Sequence, residues 1–155
     1  MSYMSTIKAF EKNYDKKQIV AFQDMQNKYC KIISIKENPI IYQVFIKKFS
    51  PMQLGLTIIN SGAINNEFYM TKGHIHDKKT PEFYILLEGK GILLIQKENK
   101  SKTINLKKGE ITLIPAGYAH RLINIGDKKL KALTIYHEDS KPNYNIEFKK
   151  RFFKR

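Results

Sequence analysis

Cysteine and long apolar runs are both scarce in this sequence of 155 residues. The one cysteine, Cys30, cannot form an intramolecular disulfide, so we expect a reducing, cytoplasmic environment. No apolar run approaches the roughly 20 residues that a transmembrane helix needs, so we expect no membrane partner. The first residues, "MSYMSTIKAFEKNYDKK", are polar and charged, and for this reason we also expect no secretory signal.

Arginine is scarce as well, although the net charge is +14. Arg121, Arg151 and Arg155 are the arginines, and the other positive charges are lysines spread along most of the chain. Proteins that read nucleic acids depend on the bidentate guanidinium group, and a specific surface would cluster its charges. We therefore expect no nucleic-acid partner and a positive field that can attract a phosphorylated metabolite. For Arg121 we expect a surface position, with contact to a ligand phosphate as the alternative.

Short apolar strands separated by turn residues dominate the chain from about residue 39. The predicted strands cover residues 40–49, 54–60, 66–72, 82–88, 91–98, 101–107, 110–114, 120–125 and 129–136. Their spacing of roughly 8–12 residues is typical of an antiparallel sandwich or barrel. Residues 15–29 fit either a short helix or an extended arm.

One domain accounts for this pattern, because no linker, repeat or low-complexity segment interrupts it. Hydrophobic residues make up 42% of the chain, which is enough for a packed core. We divide the chain into an N-terminal extension that packs on the barrel (1–38), the barrel itself (39–148) and a basic C-terminal tail (149–155).

The stretch "TKGHIHDKKTPEFY" contains candidates for a metal site. His74 and His76 are two positions apart and share a face if their segment is a strand. Glu82 begins the next predicted strand and His120 begins a later one, so the four side chains can converge as nitrogen and oxygen ligands. A His-x-His pair alone is a weak signal, which also fits two buried core rings or two rings at a solvated edge.

A second motif strengthens the metal interpretation. Residues 73–89 have the pattern G-H-x-H-x5-E-x6-G, and residues 109–124, "GEITLIPAGYAHRLIN", have the pattern G-x5-P-x-G-x2-H-x3-N. Together the two blocks resemble the paired signature of the cupin superfamily, although the spacing from histidine to glutamate is longer than in the commonest form. The resemblance implies an all-β cupin barrel (a double-stranded β-helix, or jelly roll) in which His74, His76, Glu82 and His120 bind one divalent transition metal.

Longer segments narrow the resemblance to one cupin family. "NEFYMTKGHIH", "PEFYILLEGKGILLIQ", "IPAGYAHRLINIGD" and "ALTIYHEDS" look like the archaeal-type, cupin glucose-6-phosphate isomerases, and the similarity runs from about Pro39 to Tyr144. This resemblance implies reversible conversion of glucose 6-phosphate to fructose 6-phosphate. The Thr-Lys-Gly before the His-x-His pair suits such a substrate, because hydroxyl, ammonium and exposed backbone N–H groups bind a phosphate dianion.

The resemblance also implies roles for individual residues. Glu82 and His120 would be catalytic as well as metal-binding. Seven residues would line the substrate pocket: Tyr42, Thr57, Thr71, Gly73, Tyr84, Tyr136 and Tyr144. Hydrogen transfer between C1 and C2 has two possible routes, which are proton transfer through an enediol with Glu82 as the base, or a metal-assisted hydride shift.

Some of these pocket residues have a structural alternative. Tyr42 and Tyr84 could be aromatic residues of the barrel core, and Thr57 could be an ordinary strand residue. Strict strand alternation would also turn Thr71 away from the face of the two histidines, unless Gly73 hosts a β-bulge that breaks the alternation.

The C-terminal histidine of the family has no counterpart in this chain, because "DSKPNY" offers Lys141 or Pro142 instead. Lys141 or His137 could replace it; otherwise a non-catalytic sugar-phosphate-binding cupin is the alternative. A metal-dependent cupin oxygenase is another, since three histidines and a glutamate also suit Fe(II) and O₂. For the isomerase we expect Fe(II), with Mn, Ni, Co or Zn as alternatives, and a homodimer.

Overall fold

The structure, a computed structural model, describes residues 3–30 and 35–155, without the side chains of residues 3–7. Helix α1 (Tyr3–Lys12) and strand β1 (Lys16–Ala21) come first, followed by 3-10 turns at Phe22–Asp24 and Gln26–Lys28. The further strands are β2 (Ile40–Phe49), β3 (Met52–Ile59), β4 (Ala63–Ile64), β5 (Glu67–Phe68), β6 (Ile75–His76), β7 (Glu82–Glu88), β8 (Gly91–Lys97), β9 (Lys100–Asn105), β10 (Ile111–Ile114), β11 (Ala119–Asn124), β12 (Leu130–His137) and β13 (Pro142–Asn143). Within these described ranges, no helix is long and apolar enough to cross a membrane.

Most strands lie where the sequence predicts them. β2 and β7 have the predicted bounds, and six other strands differ from the prediction by no more than two residues at either end. The predicted strand 66–72 is wrong, because only Glu67–Phe68 form a strand there. The chain beyond β5 meets β11 through isolated bridges, and Gly73, with a φ of +73°, interrupts the extended conformation. Of the two readings of residues 15–29, the extended one holds for β1.

Two antiparallel sheets provide the scaffold. The larger sheet has the strand order β1-β2-β3-β12-β7-β10, and the smaller has the order β11-β8-β9. The segment before β6 lies along β11, since the N–H of Thr71 donates to the Leu122 carbonyl over 2.9 Å. His74 and His120 exchange two backbone hydrogen bonds of 3.1 and 2.9 Å. These contacts place the His-x-His segment beside β11.

Apolar side chains between the sheets form the main core. The first six residues of β8 are all buried, so both faces of this strand are covered. Met25 from the N-terminal turns and Phe148 from the C-terminal segment belong to the same buried cluster as Leu93. A smaller cluster of Phe45, Leu56 and Leu87 lies against Phe10 of α1. Both ends of the chain therefore pack against the sheets.

Asn124 joins several segments at the end of β11. Its side chain is fully buried, and its amide nitrogen donates to the carbonyl oxygens of Ile59 (3.1 Å), Asn60 (3.1 Å) and Lys128 (2.9 Å). Its carbonyl oxygen accepts the N–H of Gly126 at 3.0 Å. The side chain therefore connects β11 to the end of β3 and closes the turn before β12.

The variant Asn124→Ala is expected to lower the free energy of unfolding by about 2–4 kcal/mol, because it leaves buried backbone groups without partners. Urea denaturation monitored by circular dichroism measures this loss. Asn105→Ala is the matched control, because Asn105 is exposed and its side chain makes no hydrogen bond within the described residues. Similar losses in the two variants would contradict the role assigned to Asn124.

Candidate metal centre and active site

Four side chains converge inside the barrel, as the motif spacing predicts. The ligand atoms of His74, His76, Glu82 and His120 all lie within 4.8 Å of one another. Glu82 Oε2 lies 2.8 Å from His120 Nε2, 3.2 Å from His76 Nε2 and 3.9 Å from His74 Nε2. The Nε2 atoms of His74 and His76 are 3.1 Å apart. The structure thus brings together the complete predicted ligand set.

The donor atoms of this cluster fit a divalent metal ion. Nδ1 of His120 lies 3.3 Å from the Tyr118 carbonyl oxygen, and an N–H directed there leaves the lone pair of Nε2 facing Glu82. Glu82 Oε2 and His120 Nε2 are buried, and neither has a well-oriented hydrogen-bond partner in the described chain despite their close approach. Nitrogen and oxygen ligands about 2.1 Å from one ion stand roughly 3 Å apart. Three of the observed separations, 2.8, 3.1 and 3.2 Å, match that spacing, and a cation would offset the repulsion between these electron-rich atoms.

Charge states within the cluster also suit metal binding. Burial, followed by the neighbouring His120, lowers the pKa of His74 to about 3. Burial alone would lower the pKa of His76, but the hydrogen bond and charge of Glu82 outweigh burial and raise it. Burial alone would raise the pKa of Glu82. The charges and hydrogen bonds of the neighbouring histidines, His120 first, have the larger effect and lower this pKa to about 2. An ionised carboxylate beside neutral imidazole is the form in which these groups bind metals, so Glu82 and His74 are ready to bind, whereas a metal ion competes with a proton at His76.

A cavity of about 320 Å³ opens beside the cluster and brings together the residues predicted to contact substrate. Its walls include Tyr42, Thr57, Thr71, Gly73, Tyr84, Tyr136 and Tyr144, together with His74, His76 and Glu82. Three of them, Tyr42, Thr57 and Tyr84, are also at most 6% exposed. These three side chains therefore belong to the buried interior and border the cavity at the same time.

The backbone at Gly73 explains how Thr71 and His74 reach one cavity. Gly73 has a φ of +73°, which is a left-handed conformation that disturbs the strict alternation of a strand. A side chain at this position would overlap the ring of Phe148 and approach Arg121 Nε to 3.1 Å. Glycine is therefore required here both by the backbone and by the close packing behind it.

Several cavity residues were missed by the sequence reasoning. Lys16 and Gln18 of β1 line the cavity together with Gln53 of β3. The alternation of polar residues in "KKQIVA" was the available signal, but the conformation of residues 15–29 was ambiguous. Lys141 also borders the cavity, whereas His137 lies outside it and accepts the N–H of Asp139 on Nδ1. Lys141 is thus the nearer of the two residues considered as replacements for the missing histidine.

Arg121 is buried, and the predicted surface position is wrong. The side chain is 2% exposed, its Nη2 donates to the Lys72 carbonyl at 2.8 Å, and its guanidinium lies 4.5 Å from the ring centre of Phe148. Burial, followed by the charge of Arg151, lowers its pKa to about 10, so the group stays charged at neutral pH. Strand alternation directs Arg121 away from His120, and the segment that covers it comes from the distant C-terminal part of the chain.

Solved structures with the same architecture confirm the predicted all-β cupin fold. Oxalate decarboxylase from Bacillus subtilis matches with a TM-score of 0.54 and 24% identity, over 63% of this chain and 26% of that chain. An oxalate oxidase solved with the substrate analogue glycolate matches with a TM-score of 0.52 and 16% identity, over 61% of this chain and 46% of that chain. At such identities the similarity shows the fold alone.

Sequence comparisons identify the family. The profile of the glucose-6-phosphate isomerase (GPI) family matches residues 7–152. Glucose-6-phosphate isomerase from Pyrococcus furiosus is 33% identical over 150 residues, which cover 90% of this chain and 79% of that protein. The enzyme of the same name from Thermococcus litoralis is 36% identical over 123 residues, which cover 76% of this chain and 65% of that protein. The predicted resemblance is confirmed, and the chain belongs to the glucose-6-phosphate isomerase family of enzymes, in its cupin form.

Proposed function

We propose that the chain is a metal-dependent aldose–ketose isomerase that interconverts glucose 6-phosphate and fructose 6-phosphate. The observation that carries this proposal is the position of three members of the His/Glu cluster, His74, His76 and Glu82, in the wall of a cavity that Thr71 and Gly73 also line. One cavity thereby offers a metal position for the carbonyl end of a sugar and a polar segment for its phosphate. The isomerase names of the archaeal relatives support the same reaction.

The Thr71–Gly73 segment suits a phosphate dianion. The hydroxyl oxygen of Thr71 accepts the N–H of Leu122 at 3.1 Å, so its own proton is free for donation to a ligand. Lys16, Lys48 and Lys141 add positive charge to the cavity wall. Hydroxyl donors within a positive field favour phosphate oxygens over neutral ligands.

His74, His76, Glu82 and His120 would hold the metal. When bound, a divalent ion polarises a substrate carbonyl as a Lewis acid. We propose Fe(II), because imidazole nitrogens suit iron, and because four protein ligands leave two positions of a six-coordinate ion for substrate oxygens. Tyr84 and Tyr144 pack their rings edge-on against His120 and His74, with centroids 5.8 and 5.7 Å apart, and so fix the orientation of both imidazoles.

Isomerisation in D₂O distinguishes the two routes for hydrogen transfer. Glu82 borders the cavity at the first residue of β7, where its carboxylate can face C1 and C2 of a bound sugar. Deuterium from the solvent appears in the product if Glu82 moves a proton through an enediol. Complete retention of the original hydrogen fits a direct hydride shift and also a proton transfer by Glu82 without solvent exchange, so incorporation of deuterium is the diagnostic result.

A coupled assay tests the proposed reaction. Fructose 6-phosphate is supplied, and formation of glucose 6-phosphate is followed with glucose-6-phosphate dehydrogenase and NADP. We expect saturable turnover with the metal-loaded protein. Sugar-phosphate binding in calorimetry without any turnover would contradict the isomerase and favour a binding protein, whereas oxygen uptake without isomerisation would favour an oxygenase.

We also propose a cytoplasmic homodimer built on the barrel. β10 is an edge strand of the larger sheet, and its Ile111 and Leu113 are 66% and 49% exposed next to the exposed Phe83. An apolar strand edge of this kind favours pairing with a second copy. Light scattering is expected to give about twice the chain mass of 18.2 kDa.

The proposed division of the chain stays the same: an N-terminal extension (1–38), a barrel (39–148) and a basic tail (149–155). The pairing of β1 with β2 supports an extension that packs on the barrel.

A further inference from the structure

A second cavity, of about 250 Å³, lies on the side of β11 that faces away from the metal cluster. It is bordered by the N-terminal turns, by β11 and by the C-terminal segment. Its polar walls come from Asn27, Lys28, Arg121, Asn145, Glu147 and Arg151. None of these residues lines the first cavity, so the second cavity is a separate place on the molecule.

Three cations, Lys28, Arg121 and Arg151, line this cavity. Of these, Arg151 forms an ion pair with an acidic residue of the described chain. Its Nη1 lies 3.0 Å from Glu67 Oε1. The other oxygen of Glu67 accepts the N–H of Cys30 at 2.7 Å. Glu67 is only 2% exposed, and both of its carboxylate oxygens are engaged. Glu67 therefore compensates Arg151, and although its charge also acts on Arg121, it forms no ion pair with Arg121 or Lys28 within the described residues.

Arg121 and Lys28 contact carbonyl oxygens instead of carboxylates. Arg121 donates one hydrogen bond to Lys72, and its buried Nε has no partner within residues 3–30 and 35–155. Lys28 Nζ donates to the carbonyls of Tyr144 and Ile146, over 2.5 and 3.4 Å. Glu147 is the acidic residue of the cavity wall, and it forms no ion pair with either cation in the described chain. Arg121 and Lys28 thus form no ion pair with a carboxylate in the described chain.

Neighbouring positive charges act on one another here. Burial, followed by the charges of Arg121 and Lys72, lowers the pKa of Lys28. Burying like charges together is unfavourable unless a negative group offsets them. The 2% exposure of Arg121 and its packing on Phe148 hold the guanidinium in place before any ligand arrives. Such a fixed, partly unpaired guanidinium is typical of sites that bind oxyanions.

We propose that this second cavity binds a phosphate-type dianion, either inorganic phosphate or the phosphate group of a small monoester. Arg121 and Lys28 would supply the charge, and the side-chain amides of Asn27 and Asn145 would supply further donors. Arg121 also donates a hydrogen bond to the Lys72 carbonyl, and Lys28 donates one to the Tyr144 carbonyl. Both carbonyls lie beside residues of the first cavity. The site therefore lies directly behind the segments that border the metal cluster.

Chemical-shift mapping of the ¹⁵N-labelled, zinc-loaded protein tests this site. Inorganic phosphate is titrated in one series and glycerol 3-phosphate in another, at constant ionic strength. We expect saturable shifts of the amides of Lys28, Asn145 and Arg121, and the tighter of the two series identifies the class of ligand. Shifts of the Gln53 and Thr57 amides on β3 report the first cavity separately, so this experiment does not depend on the proposed isomerase activity.

Lys28→Gln is expected to weaken the response of the second cavity at least fivefold while shifts at Gln53 and Thr57 persist. Arg121→Lys keeps the positive charge but removes the planar guanidinium group, which can donate two parallel hydrogen bonds, and it should weaken the same response. The control is Lys107→Gln, because the side chain of Lys107 is 75% exposed and lies outside both cavities. The proposal is overturned if phosphate shifts only amides of the first cavity such as Gln53 and Thr57, or if Lys28→Gln responds like Lys107→Gln.

Discussion

Removing the metal with a chelator, or replacing His120 by alanine, is expected to lower kcat/KM for fructose 6-phosphate by about 1,000-fold. His120 Nε2 approaches Glu82 more closely than either of the other histidines does, and it is completely buried. Without this nitrogen the set keeps only three of its four ligands, and no other histidine of the described chain lies close enough to replace it. Lewis-acid stabilisation of several kcal/mol is then lost, which corresponds to the stated fall in rate.

His137→Ala is the matched control for His120→Ala. His137 directly follows the predicted strand 129–136, and it lies outside the cluster, where its imidazole contacts Asp139. We expect full activity and a full metal content in His137→Ala, measured by the coupled assay and by plasma mass spectrometry on one preparation. Added metal should restore the chelated wild type but not His120→Ala. Unchanged turnover after complete metal removal would contradict the proposed mechanism.

The metal ligands could be predicted because they belong to short, local sequence motifs. His74 and His76 sit in one tripeptide, Glu82 begins a strand whose predicted bounds match β7, and His120 follows a Pro-x-Gly turn. A family signature with fixed spacing then identifies which strands meet. Little more than the order and pairing of strands is needed to bring these four atoms together.

Other parts of the site depend on contacts between distant segments, and local patterns carry little information about them. Arg121 is buried because residues near Phe148 cover β11 from outside, and the sequence around Arg121 does not reveal this contact. Lys16 and Gln18 reach the first cavity because β1 adds to the edge of the larger sheet. The second cavity is lined by residues from the N-terminal turns and from the C-terminal segment, so it could not be predicted from the sequence.

Gly73→Ala is expected to lower the free energy of unfolding by about 2–4 kcal/mol and to raise KM for the sugar phosphate. The left-handed φ of +73° costs an L-residue about 1 kcal/mol. The new methyl group would also overlap the ring of Phe148, and overpacking of this kind costs roughly a further 1–3 kcal/mol. Phe148 is 2% exposed and packs against Arg121, so its ring has little room to move. The backbone must shift instead, and it carries Thr71 and His74 with it.

Gly109→Ala separates the cost of the left-handed φ from the cost of steric overlap. Gly109 has a similar φ of +80°, but no atom lies within 4 Å of the position that its Cβ would occupy. Urea denaturation should therefore give a loss of about 1 kcal/mol for Gly109→Ala, with an unchanged KM. Phe148→Leu in the Gly73→Ala background should recover part of the loss, and a double-mutant cycle measures the coupling. Equal losses in the two glycine variants, or no coupling to Phe148, would show that Gly73 is needed only for its φ. Coupling accompanied by a raised KM would instead show that the C-terminal segment supports the Thr71–Gly73 segment from behind.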